Sequence, residues 1–307
     1  MWFKNLQIYR IANAETPDIH ALESALQANI ATPCQSNQQS SAGWVPPVDN
    51  GPLVHTVGRQ CLIALQVEER ILPASVINGE VEKRAKTQEK AQGFPPGRKQ
   101  RRELKEMVID ELLPRAFTKK RKTFAWIDQE NKTLVIDAPN ESKANEVIGT
   151  LLDCNFDIVV EYMPVATSPQ SAMADWLASG EAPDGFTVDQ DCELKSVADD
   201  KSAVKYANSS LEDGIGVGGQ IKEHLAAGKL PTRIAMTWDN RISFVLTDNL
   251  EVKRLAFLDV IKEKAAQDAE SAADQFDADF ALMTGELQRF IPALIDALGG
   301  EIKEDDE

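Results

Sequence analysis

Apolar positions along this 307-residue chain recur at two spacings, and each change of spacing marks a change of element. Residues 2–11 (WFKNLQIYRI) mix aromatic and β-branched side chains and predict a strand. Ile19, Leu22, Leu26 and Ile30 fall at helical spacing, which predicts a helix over 17–30. Residues 32–50, rich in Gln, Ser, Gly and Pro, predict a loop, and 61–67 (CLIALQV) a buried strand. Residues 76–92 and 98–113 favour helix and are separated by Gly93-Phe94-Pro95-Pro96-Gly97. Two prolines flanked by glycines cannot continue a helix, so the pattern predicts a helical hairpin projecting from the body. On its second helix Leu104, Met107, Val108 and Leu112 form an apolar stripe, with Arg98, Arg101, Arg102 and Lys105 forming a basic stripe beside it.

The period then changes to two. Residues 123–128 and 132–138 flank a short polar turn at Gln129-Glu130-Asn131, a β-hairpin signal. Asn140 is placed to cap a helix over 141–152, and 157–163 returns as a strand. This β-β-α-β run predicts an α/β layer that continues the sheet begun by residues 2–11. One short helix is expected around 173–179. Strands are expected at 203–207, 232–238, 241–247 and 251–257, with a helix over 219–227 ending at Gly228. A last helix over 272–298 carries Phe276, Phe280, Met283, Leu287, Phe290, Leu294 and Leu298 on one face. Pro292 inside it predicts a kink or break. That apolar stripe is long for the sheet it could cover, which suggests that part of it packs against another subunit.

Together these elements predict an α+β fold in three sections. A central α/β body takes 1–75 and 123–165, a basic helical tip 76–122, and a C-terminal α+β base and dimerisation section 166–307. No apolar run approaches the ~18 residues of a membrane span, and Met1-Trp2-Phe3-Lys4-Asn5 lacks the pattern of a secretion signal, so a cytoplasmic protein is expected.

Net charge sharpens the picture. The chain carries −16 overall, which argues against a polyanionic partner. Residues 81–125, however, hold 14 bases against six acids. The bases are Lys83, Arg84, Lys86, Lys90, Arg98, Lys99, Arg101, Arg102, Lys105, Arg115, Lys119, Lys120, Arg121 and Lys122. Residues 259–307 carry 14 acids against four bases. Such segregation gives a polar field whose positive end suits DNA phosphates, and those 14 residues are the candidate DNA contacts. No zinc-finger, RNP or short recognition-helix pattern points to base-specific readout.

Catalytic signals are weak. Four scattered cysteines (Cys34, Cys61, Cys154, Cys192) and three histidines offer no metal-ligand spacing and read as reduced, buried thiols and isolated imidazoles. Gly214-Ile215-Gly216-Val217-Gly218-Gly219 lacks the Gly-Lys-Ser/Thr and the preceding strand that a phosphate loop needs. Of the acids Asp274, Asp277 and Asp279, the last two are two residues apart and so point to different sides of a helix. No catalytic residue, metal or cofactor is expected. A metal-dependent nuclease and an acidic protein-interaction scaffold remain the alternatives.

Several strings are distinctive: Met1-Trp2-Phe3-Lys4-Asn5-Leu6, Glu68-Glu69-Arg70-Ile71-Leu72-Pro73, Leu112-Leu113-Pro114-Arg115-Ala116-Phe117, Lys253-Arg254-Leu255, Phe276-Asp277-Ala278-Asp279-Phe280 and Leu298-Gly299-Gly300-Glu301. In this order, from residue 1 to about 301, the chain resembles the recombination-associated protein RdgC family. The resemblance implies a non-catalytic, nucleoid-associated protein that binds duplex and also single-stranded DNA without sequence preference. It implies a horseshoe-like subunit, a ring-shaped homodimer encircling DNA, and restraint of RecA-promoted strand exchange by occupying the DNA. It also implies a tip-to-tip dimer contact through Phe117 and a second contact through the C-terminal section. Two departures stand out. Gly93–Gly97 replaces a segment that is usually charged and helical, and Asn208, Ser209 and Ser210 stand where relatives often carry lysines on a loop directed at DNA.

Overall fold

A computed structural model describes residues 1–13, 15, 18–196, 202–207, 217–258 and 271–302. Among the described residues the helices are α1 (Ile19–Gln27), α2 (Ala74–Gln92), α3 (Arg98–Leu112), α4 (Glu141–Leu152), α5 (Pro169–Ser179), α6 (Val217–Ala226) and α7 (Ala272–Ala297). The first sheet is built from β1 (Gln7–Ile11), β2 (Ser40–Val45), β3 (His55–Val57), β4 (Gln60–Arg70), β5 (Thr118–Asp128), β6 (Thr133–Ile136) and β7 (Val160–Tyr162). Its order is β2-β4-β5-β6-β1-β7, with β3 also on β4. The second holds β8 (Phe186–Ser196), β9 (Ala203–Tyr206), β10 (Lys229–Trp238), β11 (Ile242–Thr247) and β12 (Val252–Phe257) in the order β12-β11-β10-β8-β9. Every strand pairing is antiparallel, so the fold is mixed α+β with two antiparallel sheets.

One face of the first sheet buries Trp44, Ile63 and Ile136 under Leu22 and Leu26 of α1 and Ala144, Val147 and Leu151 of α4. The Asn140 side chain caps α4 by accepting from the Lys143 N–H at 3.1 Å, as its position in the sequence implied. The other face, with Ile8, Leu62, Trp126 and Val135, shares a single core with the second sheet.

Helix α7 lies in that shared core, and here two expectations are corrected. Its apolar stripe does not await another subunit: Phe280, Met283, Leu287, Phe290, Ile291 and Leu294 are buried within the chain itself. Phe290 sits edge-on to Phe244 (4.9 Å) and Trp238 (5.7 Å) of the second sheet. On the other side, Gln288 donates to both oxygens of Asp128 on β5 at 3.2 Å. A helix touching two sheets needs apolar residues around more than one narrow stripe, which accounts for its composition. Nor does Pro292 break it, for α7 runs on to Ala297.

Other boundaries shift. The 32–50 stretch contains β2, held by its register Ser40↔Glu69 to Val45↔Ala64 with β4. Strand β1 begins at Gln7 rather than residue 2, α5 starts at Pro169 behind the Ser168 cap, and β8 was not anticipated. No helix among the described residues is long and apolar enough to cross a membrane.

Candidate nucleic-acid interface

The candidate DNA contacts sit on one excursion of the chain. Strands β4 and β5 pair from Gln60↔Asp128 to Arg70↔Thr118, and α2 and α3 form the connection between their ends. Gly93, at φ +83°, closes α2 by donating to the Glu89 carbonyl at 2.8 Å. A residue with a Cβ is strained at that φ, so glycine fits the turn. The Gln100 side chain accepts from the Gly97 N–H at 2.9 Å and opens α3. The two helices pack through a small core of their own: Ile77, Val81 and Val108, flanked by Leu72, Leu104, Ile109 and Leu112. Met107, expected in the apolar stripe, is 52% exposed, and Ile109 packs in its stead.

The root of the hairpin is held by Arg70. Its guanidinium donates to the carbonyls of Leu113 (3.0 Å) and Ala116 (3.1 Å) on one side and of Cys34 (3.2 Å) on the other. It also donates to the Gln35 carbonyl, and because all these partners are backbone groups distant in the chain, no local sequence signal marks Arg70.

Not all 14 cations are equivalent. Arg84 grips Glu111 through two hydrogen bonds of 3.0 and 2.6 Å, and Lys83 and Arg84 both approach Glu80. The hydrogen bond from Arg84 holds the Glu111 carboxyl below its ordinary pKa. Arg101 pairs with Glu82 at 2.6 Å and Arg102 with Glu106 at 3.1 Å, so half of the expected basic stripe is neutralised locally. By contrast, Lys86, Lys90, Arg98, Lys99 and Lys105 are exposed, with no acid within ion-pair distance among the described residues.

The Lys119–Lys122 run belongs to β5, where alternate side chains leave opposite faces of the sheet. It is not one tight cluster. Lys119 stands opposite Glu69 and Lys120 opposite the buried Glu68. The Thr118 hydroxyl and the Cys34 N–H hold Glu68 below the usual carboxylate pKa, with smaller help from Lys120 and Arg70. Arg121 bonds to Glu146 and to the Thr123 hydroxyl (2.7 Å). Lys122 donates to the Pro46 carbonyl at 3.0 Å and lies 5.8 Å from the centre of the Phe124 ring. Arg115 is exposed at the hairpin root, and nearby Phe117 is 87% exposed, the barest of the large apolar side chains among the described residues.

Asn208–Ser210 and Gly214–Gly216 lie outside the described residues, as do 259–270 and the 304–307 acids. All four cysteines are buried and unpaired. Among the described residues no group of three His, Cys, Asp or Glu side chains is placed to hold a metal ion.

A family model described as "Putative exonuclease, RdgC" matches residues 1–301. The chain belongs to the RdgC family. It is 53% identical over 304 residues to the recombination-associated protein RdgC of Dechloromonas aromatica, covering 99% of both chains. The RdgC proteins of Herminiimonas arsenicoxydans and Cupriavidus pinatubonensis are 47% and 46% identical, over 98% and 99% of this chain and 99% and 100% of theirs. The two halves of RdgC nomenclature pull apart, one naming a nuclease and the other an association with recombination.

Proposed function

We propose that this protein binds DNA without sequence preference through the α2–α3 hairpin. The observation that carries the reading is that five cations of the hairpin (Lys86, Lys90, Arg98, Lys99 and Lys105) are exposed and make no ion pair among the described residues, on a chain of net charge −16. Lysine and arginine on an exposed helical pair can reach phosphates and release counterions, and neither needs base edges to do so. The net acidity of the rest of the chain weakens such attraction over most of its surface. The fully presented Phe117, at the base of the hairpin, suits a contact between two subunits, which would close them into a ring around DNA. Occupied DNA is then less accessible to RecA, in keeping with the recombination-associated relatives. A central body, a basic tip and a C-terminal base are the three working sections of such a subunit, acting in the cytoplasm at the nucleoid.

The family description favours one second reading, an exonuclease. Fluorescence-anisotropy titration of a random duplex at several salt concentrations, with and without magnesium, separates the two. Affinity whose logarithm falls linearly with log salt, on intact DNA, supports the clamp. Shortened DNA in magnesium supports the nuclease, and no binding at low salt overturns the proposal.

A further inference from the structure

The second sheet leaves one face open, and a cavity of about 220 Å3 on it is lined by Lys205, Arg233, Lys253 and Arg254, together with Asp191 and Glu193. Two of the cations are already matched: Lys205 with Glu193 at 3.2 Å and Lys253 with Glu251 at 2.7 Å. Asp191 has a partner of its own. Arg233 and Arg254 are both exposed, and neither has an acid within ion-pair distance among the described residues.

Arg254 also has an unusual backbone. Val245 pairs with Lys253 but Ser243 pairs with Ala256, so two residues of β12, Arg254 and Leu255, oppose the single residue Phe244. This is a β-bulge, and Arg254 adopts φ +53° within it. The bulge itself has a structural reason. It lets the Leu255 N–H reach the Lys4 carbonyl at 2.8 Å while Val252 and Leu6 exchange both of their backbone hydrogen bonds. That reason does not call for arginine, because glycine or asparagine enters the left-handed region with less strain. A strained residue that lines the same cavity as a second arginine, neither of them in an ion pair among the described residues, is better explained by what the side chain does.

We infer that this cavity binds one phosphate group between the guanidinium groups of Arg254 and Arg233. The planar fork of arginine matches two phosphate oxygens at once. Building on the proposed function, the phosphate is a phosphodiester of the bound DNA, gripped at a site on the second sheet separate from the hairpin.

The test uses Arg254→Gly, which keeps the bulge and removes the guanidinium, alone and with Arg233→Gln in the full-length protein. Arg254→Gly is expected to melt no lower than wild type yet bind a random duplex several-fold more weakly. Its log affinity–log salt slope is expected to be shallower, and the double variant, which loses the whole one-phosphate site, shallower by about 0.9 per subunit. Unchanged affinity and slope in Arg254→Gly would overturn the inference while leaving the hairpin reading intact. If wild type binds no duplex, the hairpin reading fails, and titration with inorganic phosphate then decides this one. Phosphate binding abolished by Arg254→Gly supports a free-phosphate site, and no phosphate binding overturns it.

Discussion

The Ile71 N–H donates to the Phe117 carbonyl at 2.7 Å, one step beyond the Arg70↔Thr118 end of the β4–β5 ladder. Strands on either side of the helical hairpin are thus paired up to its base, and the hairpin is an elaborated turn between them. Replacing residues 72–116 by a two-residue Asn-Gly turn is expected to leave the sheets folded, with near-native circular dichroism. Affinity for a random duplex should fall at least tenfold. Retained affinity would show that the DNA surface lies elsewhere.

Phe117 makes little use of its ring within the subunit. Phe117→Ala should therefore leave the thermal midpoint unchanged while weakening self-association, read by sedimentation velocity at low concentration. An unchanged dimer, or the absence of one in wild type, would remove Phe117 from the interface.

The acids that stand opposite them rank the cations. Lys86, Lys99 and Lys105 changed together to glutamate should weaken duplex binding on any sequence and flatten the salt slope by about 2.7 per subunit. Lys119 and Lys120 changed to glutamine should cost less affinity, because Glu69 and Glu68 already face them. The reverse ranking would place the phosphate contacts on β5.

Val108 is fully buried in the small hairpin core. Val108→Ala removes two methyl groups and should destabilise that core by roughly 2 kcal/mol. Because this core is separate from the two larger ones, amide exchange should quicken in α2 and α3 and stay unchanged in β10. Uniform acceleration would mean that the hairpin unfolds only with the whole chain.

Glu68 has a folded-state pKa below its unfolded value of about 4.3, chiefly through the Thr118 and Cys34 hydrogen bonds. Stability from a lowered carboxylate pKa is present above the unfolded value and lost as pH falls through the folded one. Wild type should therefore lose thermal stability between pH 5 and pH 3 faster than Glu68→Gln. Parallel melting curves across that range would show that Glu68 contributes nothing to acid sensitivity.

Local chemistry made part of this molecule legible from sequence. The Gly93–Gly97 break, the Asn140 cap, the 129–131 turn and the strands of the second sheet from β10 to β12 each rest on a few adjacent residues. Strand β2 (SSAGWV) was hidden because its small, polar residues have weak strand preference and only the β4 register holds them extended. The site was half legible. Sequence located the cations but not their partners: Glu111 lies 27 residues from Arg84 and Glu82 lies 19 from Arg101, distances that only hairpin packing closes. The bulge at Arg254 had no local signal, since it arises where β12 meets Lys4 and Leu6.

The Phe3 N–H reaches the Met283 sulfur of α7 at 3.2 Å, across 280 residues of chain. At ribosomal rates of about 5–20 residues per second, the shared core stays incomplete for tens of seconds after its first residues emerge. During that interval Leu62, Trp126 and Val135 have no helix to cover them, so apolar surface of the nascent first sheet stays exposed to aggregation.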